Sequence, residues 1–153
     1  MPEFKDEYWM IKAIEMAEKA CELGEVPVGA VLVKNNEMIG YGYNKVITNN
    51  DSTAHAEVQA IRNAGAQLNN YRLVDTKLYV TLEPCMMCVG AIIHARIRQI
   101  IFGAYDPKTG MAVTKDNCFD KPYHNHNVLI TGGVLENECA NLLKSFFKKK
   151  RAL

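Results

Sequence analysis

His55, Cys85 and Cys88 are the residue types that bind a borderline metal, and Glu57 lies two residues beyond the histidine. One imidazole and two thiolates suit a tetrahedral zinc ion and leave its fourth position open, which marks a catalytic rather than a structural centre. An ion held in this way lowers the pKa of a bound water toward about 7. A carboxylate that is close by but not a ligand can then take and return protons, and Glu57 is the candidate.

These residues can act together only if the elements around them converge. Cys85 and Cys88 are three apart and fall on one side of a helix that Pro84 opens, which places both thiols in its first turn. There the helix dipole and free N–H groups favour thiolate. His55 and Glu57, two apart, diverge on a helix. Both can face one ion only if it lies off the start of their helix. The pattern thus predicts two helix N-termini meeting at a single ion.

The periodicity along the chain supplies the scaffold. Asp6 is expected to cap a helix to about Leu23, with Met10, Ile14, Ala17 and Cys21 on its apolar face and Gly24 as its stop. Val28 to Val33 and Met38 to Asn44 read as a hairpin turned at Asn35-Asn36. A loop to Thr53 leads into a helix over about 54–64, and 77–82 reads as a strand. The Pro84 helix is expected to reach about Ala95. Strands over 99–104 and 128–131 follow, with a short helix possible at Val113 to Phe119. A last helix carries Cys139, Leu142, Leu143, Phe146 and Phe147. Helices alternating with strands after an initial hairpin predict an α/β fold: one mostly parallel sheet covered on both faces, in one domain over 1–153.

The chain has 153 residues and a net charge of +1. That length suits one core burying roughly 70% of the unfolded surface. Lys144, Lys148, Lys149, Lys150 and Arg151 crowd the C-terminus, which is either a solvated tail or a surface for an anionic partner such as RNA. No apolar run is long enough to span a membrane, and the first residues do not resemble a signal peptide. Five cysteines, an odd count, fit a reducing cytoplasm. Cys21 and Cys139 are expected to be buried in helices, and Cys118 takes no role.

Taken singly, Cys-x-x-Cys could be a redox pair or half of a structural zinc site, and His-x-Glu a capped helix start. Taken jointly they form the signature of zinc-dependent nucleobase deaminases. The chain further resembles bacterial tRNA-specific adenosine deaminases, which convert the wobble adenosine of a tRNA anticodon to inosine. The resemblance rests on Glu25-Val26-Pro27-Val28-Gly29-Ala30-Val31-Leu32-Val33, Thr53-Ala54-His55-Ala56-Glu57 and Asn70-Tyr71-Arg72-Leu73. It extends through Leu78-Tyr79-Val80-Thr81-Leu82-Glu83-Pro84-Cys85, Lys108-Thr109-Gly110, Glu138-Cys139-Ala140 and Phe146-Phe147. The segment Met111–Tyr123 lies outside these motifs.

The resemblance implies a three-layer cytidine-deaminase-like fold, with a five-stranded mixed sheet in which one hairpin strand is antiparallel to the rest. It implies one Zn2+ per subunit on His55, Cys85 and Cys88, and Glu57 as proton shuttle. It also implies Asn44 hydrogen-bonded to the flipped purine, Ala56 at the substrate, and Val28 and Leu82 as pocket walls. Asp106, Lys108, Asn125 (paired with His126) and Phe147 would meet the anticodon stem-loop. His124 gains no role. A cytoplasmic homodimer is implied, and Ala91, Ile92 and Ile93 offer an apolar contact on the third helix. Two other readings share the motifs: a deaminase of free guanine, cytosine or a nucleotide, and a non-catalytic RNA-binding or structural zinc protein. The unligated Glu57 speaks against the last.

Overall fold

The computed structural model describes residues 2–152. Its strands are β1 (Gly29–Lys34), β2 (Glu37–Tyr43), β3 (Lys77–Leu82), β4 (Gln99–Ala104) and β5 (Leu129–Thr131). Its helices are α1 (Asp6–Glu22), α2 (Ala56–Leu68), α3 (Met86–His94) and α4 (Glu136–Ala152). The strands form one sheet in the order β2-β1-β3-β4-β5. β1 is antiparallel to both its neighbours, while β3, β4 and β5 run parallel. The single reversed strand is therefore β1 of the hairpin, as expected. Asn35 and Asn36 make the turn with φ of 53° and 60°, a conformation that asparagine tolerates better than most residues.

The central strands are apolar on both sides because helices cover both faces. Ala30, Leu32, Leu78, Val80, Ile100 and Phe102 pack with Ala56, Ala60 and Ala64 of α2 and with Val89, Ile92 and Ile93 of α3. Val31, Val33, Tyr79 and Ile101 point the other way, onto Trp9, Met10 and Ala13 of α1 and Cys139 of α4. This alternation places α2 and α3 in one layer and α1 and α4 in the other.

The contact that matters most to the site is between β2 and α2. A Cβ on Gly42 would lie 2.7 Å from Gln59 Cβ, and one on Gly40 would lie 2.7 Å from Ala64 Cβ. The backbone of α2 therefore rests directly on the strand, through the small face Ala56, Ala60 and Ala64. That close approach fixes where α2 begins, and so where His55 and Glu57 point.

Several sequence expectations are corrected. Lys5, not Asp6, is the N-cap of α1; the Asp6 carboxylate instead accepts a 2.8 Å hydrogen bond from the Tyr79 hydroxyl. Cys21 is exposed, because the buried face of α1 runs through Trp9, Met10, Ala13, Ala17 and Ala20. Pro84 lies one residue before the N-cap of α3, which is Cys85. Ile92 and Ile93 belong to the core at 0% and 5% exposure, whereas Met86 and Met87 are the large apolar side chains of α3 that face outward. Residues 113–119 form turns rather than a helix. The amides of Ala112, Val113 and Thr114 bond to the Glu83 carboxylate, as the free amides of a helix start could. Lys115 N and Cys118 N then bond the Gly110 and Met111 carbonyls, both at 2.9 Å, and not the carbonyls four residues back that a helix requires.

Candidate metal centre and active-site cavity

His55 is the N-cap of α2 and Cys85 the N-cap of α3, both in extended conformation and neither making a side-chain capping bond. Both side chains are thus free to point off the ends of their helices toward the same spot. Cys88, one turn into α3, is fully buried. The His55 Nδ1 atom lies 3.7 Å from Cys85 Sγ and 3.6 Å from Cys88 Sγ, and the three ligand atoms all fall within 4.8 Å of one another. Tetrahedral zinc, with Zn–S of about 2.3 Å and Zn–N of about 2.0 Å, sets nitrogen and sulfur roughly 3.5 Å apart. The donor set and both nitrogen–sulfur distances therefore fit a zinc ion.

The electrostatics of the group are those of a cation site. The Cys85 thiol is held down to about 4, first by the hydrogen bond its sulfur accepts from Cys88 and then by the one it accepts from His55. The same shared bond pushes Cys88 up. The pair thus carries one negative charge, and a bound cation would displace the second proton. The hydrogen bond with Cys85 raises His55, against its burial. Glu57, the second residue of α2, is only 4% exposed. Burial pushes its carboxyl up to about 7, with the charge of Cys85 adding to the rise. A carboxyl poised there can both accept and give a proton near neutral pH.

A cavity of about 340 Å³ opens beside this cluster, and its lining includes Val28, Asn44, His55, Glu57, Leu82, Cys85 and Asp106. Asn44 directly follows β2, and its side chain has a definite task. Its Oδ1 accepts a 2.8 Å hydrogen bond from the Ala56 amide in the first turn of α2, which leaves the side-chain NH2 as its donor toward the cavity. Ala56 itself is fully buried and enters the site through that amide. Lys108 and Phe147 line an adjoining groove with Leu143, Lys144 and Arg151. A further groove joins Val26, Leu82 and Asp106 to Lys108 and Phe147. Asn125 is not brought to this cavity: its amide oxygen accepts from Arg96 Nη1 at 3.1 Å, beyond the C-terminal end of α3. His126 caps the Ile97 carbonyl there at 2.8 Å, and His124 bonds the Cys118 carbonyl at 2.6 Å.

Two acids of the cavity lining, Glu25 and Glu83, were given no role by the sequence reading, and Lys150 of the C-terminal basic cluster joins them there. Glu25 is 1% exposed and accepts from Ile47 N, Thr48 N and Thr48 Oγ1 at 3.1, 2.6 and 2.7 Å. The available signal was an acid close to an apolar strand: Glu25 just ahead of the Val26-Pro27-Val28 lead into β1, and Glu83 immediately after β3.

The sheet order, the converging helix starts and the buried carboxylate define a deaminase of the cytidine-deaminase-like fold. A family model described as MafB19-like deaminase matches residues 4–151. Over 147 residues the chain is 50% identical to the tRNA-specific adenosine deaminase of Haemophilus influenzae, covering 95% of this chain and 85% of that one. A solved structure from studies of A-to-I editing by tRNA:A34 deaminases superposes with a TM-score of 0.86 at 43% identity, over 89% of this chain and 99% of that one. The guanine deaminase of Bacillus subtilis superposes with a TM-score of 0.66 at 34% identity, over 98% and 96% of the two chains. The chain belongs to the tRNA-specific adenosine deaminase family. Among the described residues, no helix is long and apolar enough to cross a membrane.

Proposed function

We propose that the chain hydrolyses the wobble adenosine (position 34) of a tRNA anticodon to inosine, using one zinc ion held by His55, Cys85 and Cys88. The observation that carries the reading is the meeting of those three ligand atoms and the buried Glu57 at one cavity, in a chain of this family. Bound zinc would make a water molecule nucleophilic near neutral pH. Glu57 takes the proton from that water and passes it to N1 of the purine. The water oxygen bonds to C6, the C6–N bond breaks, and Glu57 relays the second proton to the departing ammonia. Val28 and Leu82 supply apolar walls for a base taken out of its stack, and the Asn44 side-chain NH2 is placed to donate to that base. Asp106, Lys108 and Phe147 lie along the grooves leading from the cavity, where splayed anticodon bases would stack and phosphates meet Lys144, Lys150 and Arg151. The same reading makes the protein a cytoplasmic, single-domain enzyme that pairs with a second copy through the exposed Met86 and Met87 of α3. Sedimentation showing only monomer at micromolar concentration would defeat the pairing.

The test is inosine formation on an anticodon stem-loop with adenosine at the wobble position, beside a wobble-guanosine stem-loop and free bases. Conversion of that adenosine alone supports the reading. Faster turnover of free guanine or cytosine overturns it in favour of a free-base deaminase.

A further inference from the structure

We infer that Glu83 is a positioning residue that shapes the loop 106–114 into the RNA-facing wall of the cavity, an inference that rests on the tRNA reading above. Glu83 follows the last residue of β3 and is 2% exposed. Its Oε1 accepts from Asp106 N at 3.0 Å and from the Thr114 hydroxyl. Its Oε2 accepts from Ala112 N, Val113 N and Thr114 N at 3.2, 2.8 and 2.9 Å. One buried carboxylate thus gathers both ends of the loop. The loop also has no slack over it: a Cβ on Gly110 would collide with the Glu83 carboxylate.

The brace continues outward from Asp106, whose amide Glu83 holds. The Asp106 carboxylate accepts from Lys108 N at 2.9 Å and from Thr109 N and Oγ1 at 3.2 and 2.9 Å. Asp106 is thereby committed to shaping the turn that presents Lys108 to the groove beside Phe147. The order of dependence is Glu83, then Asp106, then Lys108. Glu83 therefore governs how the substrate is gripped, while the reacting atoms face His55, Cys85, Cys88 and Glu57.

Replacing Glu83 by glutamine keeps the shape but turns an NH2 toward amides that need an acceptor. In the zinc-loaded protein, Glu83→Gln is expected to speed hydrogen exchange at the amides of 112–114 by tenfold or more. Stem-loop Kd and KM should rise about tenfold, with kcat within about threefold and zinc still one per chain. Thr114→Val removes the hydroxyl donor to Glu83 and should raise Kd and KM by about threefold in the same direction. Accelerated exchange with unchanged Kd and KM would overturn the inference. So would a loss of zinc and kcat with Kd intact, since Glu83 would then support Cys85 and not the loop. A wild-type protein that binds the stem-loop but leaves its adenosine unconverted would defeat the tRNA reading separately, and Kd would still decide the role of Glu83.

Discussion

Replacing Asn44 separates structural from catalytic work at one side chain. Its Oδ1 holds the Ala56 amide at 2.8 Å, and Ala56 is fully buried. Asn44→Ala strands that N–H without a partner, which costs about 1–3 kcal/mol. In a chain of this size each kcal/mol lowers Tm by about 2–4 °C, so a drop of about 2–12 °C is expected. Asn44→Asp keeps the acceptor and places a negative charge at the start of α2, where the helix dipole tolerates it. Its Tm should stay within about 3 °C of wild type. Aspartate lacks the NH2, however, and losing one positioned donor costs about 10²-fold in activity. Thermal melts of the zinc-loaded variants, with inosine formation under single-turnover conditions, distinguish these effects. The reasoning fails if Asn44→Asp melts as low as Asn44→Ala, or if it deaminates within threefold of wild type.

Glu57→Ala should abolish inosine formation while metal analysis still finds one zinc per chain; retained activity would remove Glu57 from its role. Stripping the metal with a chelator should abolish activity and zinc alone should restore it, because Cys and His donors favour that ion. Gly42→Ala would drive a methyl group into the α2 backbone at Ala56 and Ala60. It should cost about 1–3 kcal/mol in urea unfolding, and a neutral result would contradict the close packing. Burial alone would raise Glu25 and Glu83, but hydrogen bonds led by Thr48 for the first and Thr114 for the second outweigh it and hold both carboxyls below the ordinary glutamate value of 4.5. With the folded value depressed, their stabilisation is present above pH 4.5 and is lost as pH falls through the folded value. Glu25→Gln should therefore lower stability at pH 7 and flatten the acid limb of a stability profile; an unchanged limb would refute that.

The sequence carried the scaffold wherever local chemistry and tertiary need agree. Strands 77–82 and 99–104 are observed at the expected limits, since their apolar runs have no other stable place than a covered sheet. The two helix starts were legible because His-x-Glu and Cys-x-x-Cys constrain each other: only an ion off both ends satisfies both spacings. What escaped were side chains whose partners lie far along the chain. Asp6 is a good cap by type, but Tyr79, 73 residues away, claims its carboxylate. The turns at 113–119 replace a helix because Lys115 N and Cys118 N bond the carbonyls of Gly110 and Met111, and not those four residues back. Glu25 and Glu83 look like ordinary charged residues beside strands until the loops that fold over them are known.

The glycine contacts of β2 with α2 bear on how such a site can change over time. Where helix backbone touches strand backbone there is no side chain to trim or enlarge, so the spacing of His55, Glu57 and the thiols is insulated from gradual repacking. The loops after β2 and β4 lack such a helix-on-strand contact. Each is gathered around a buried acid, Glu25 for the first and Glu83 for the second, and away from those anchors they can vary in length and composition. Chemistry is inherited with the scaffold, and the choice of base is renegotiated at its rim. A guanine deaminase that shares this fold at a TM-score of 0.66 is the kind of relative that such a division of labour permits.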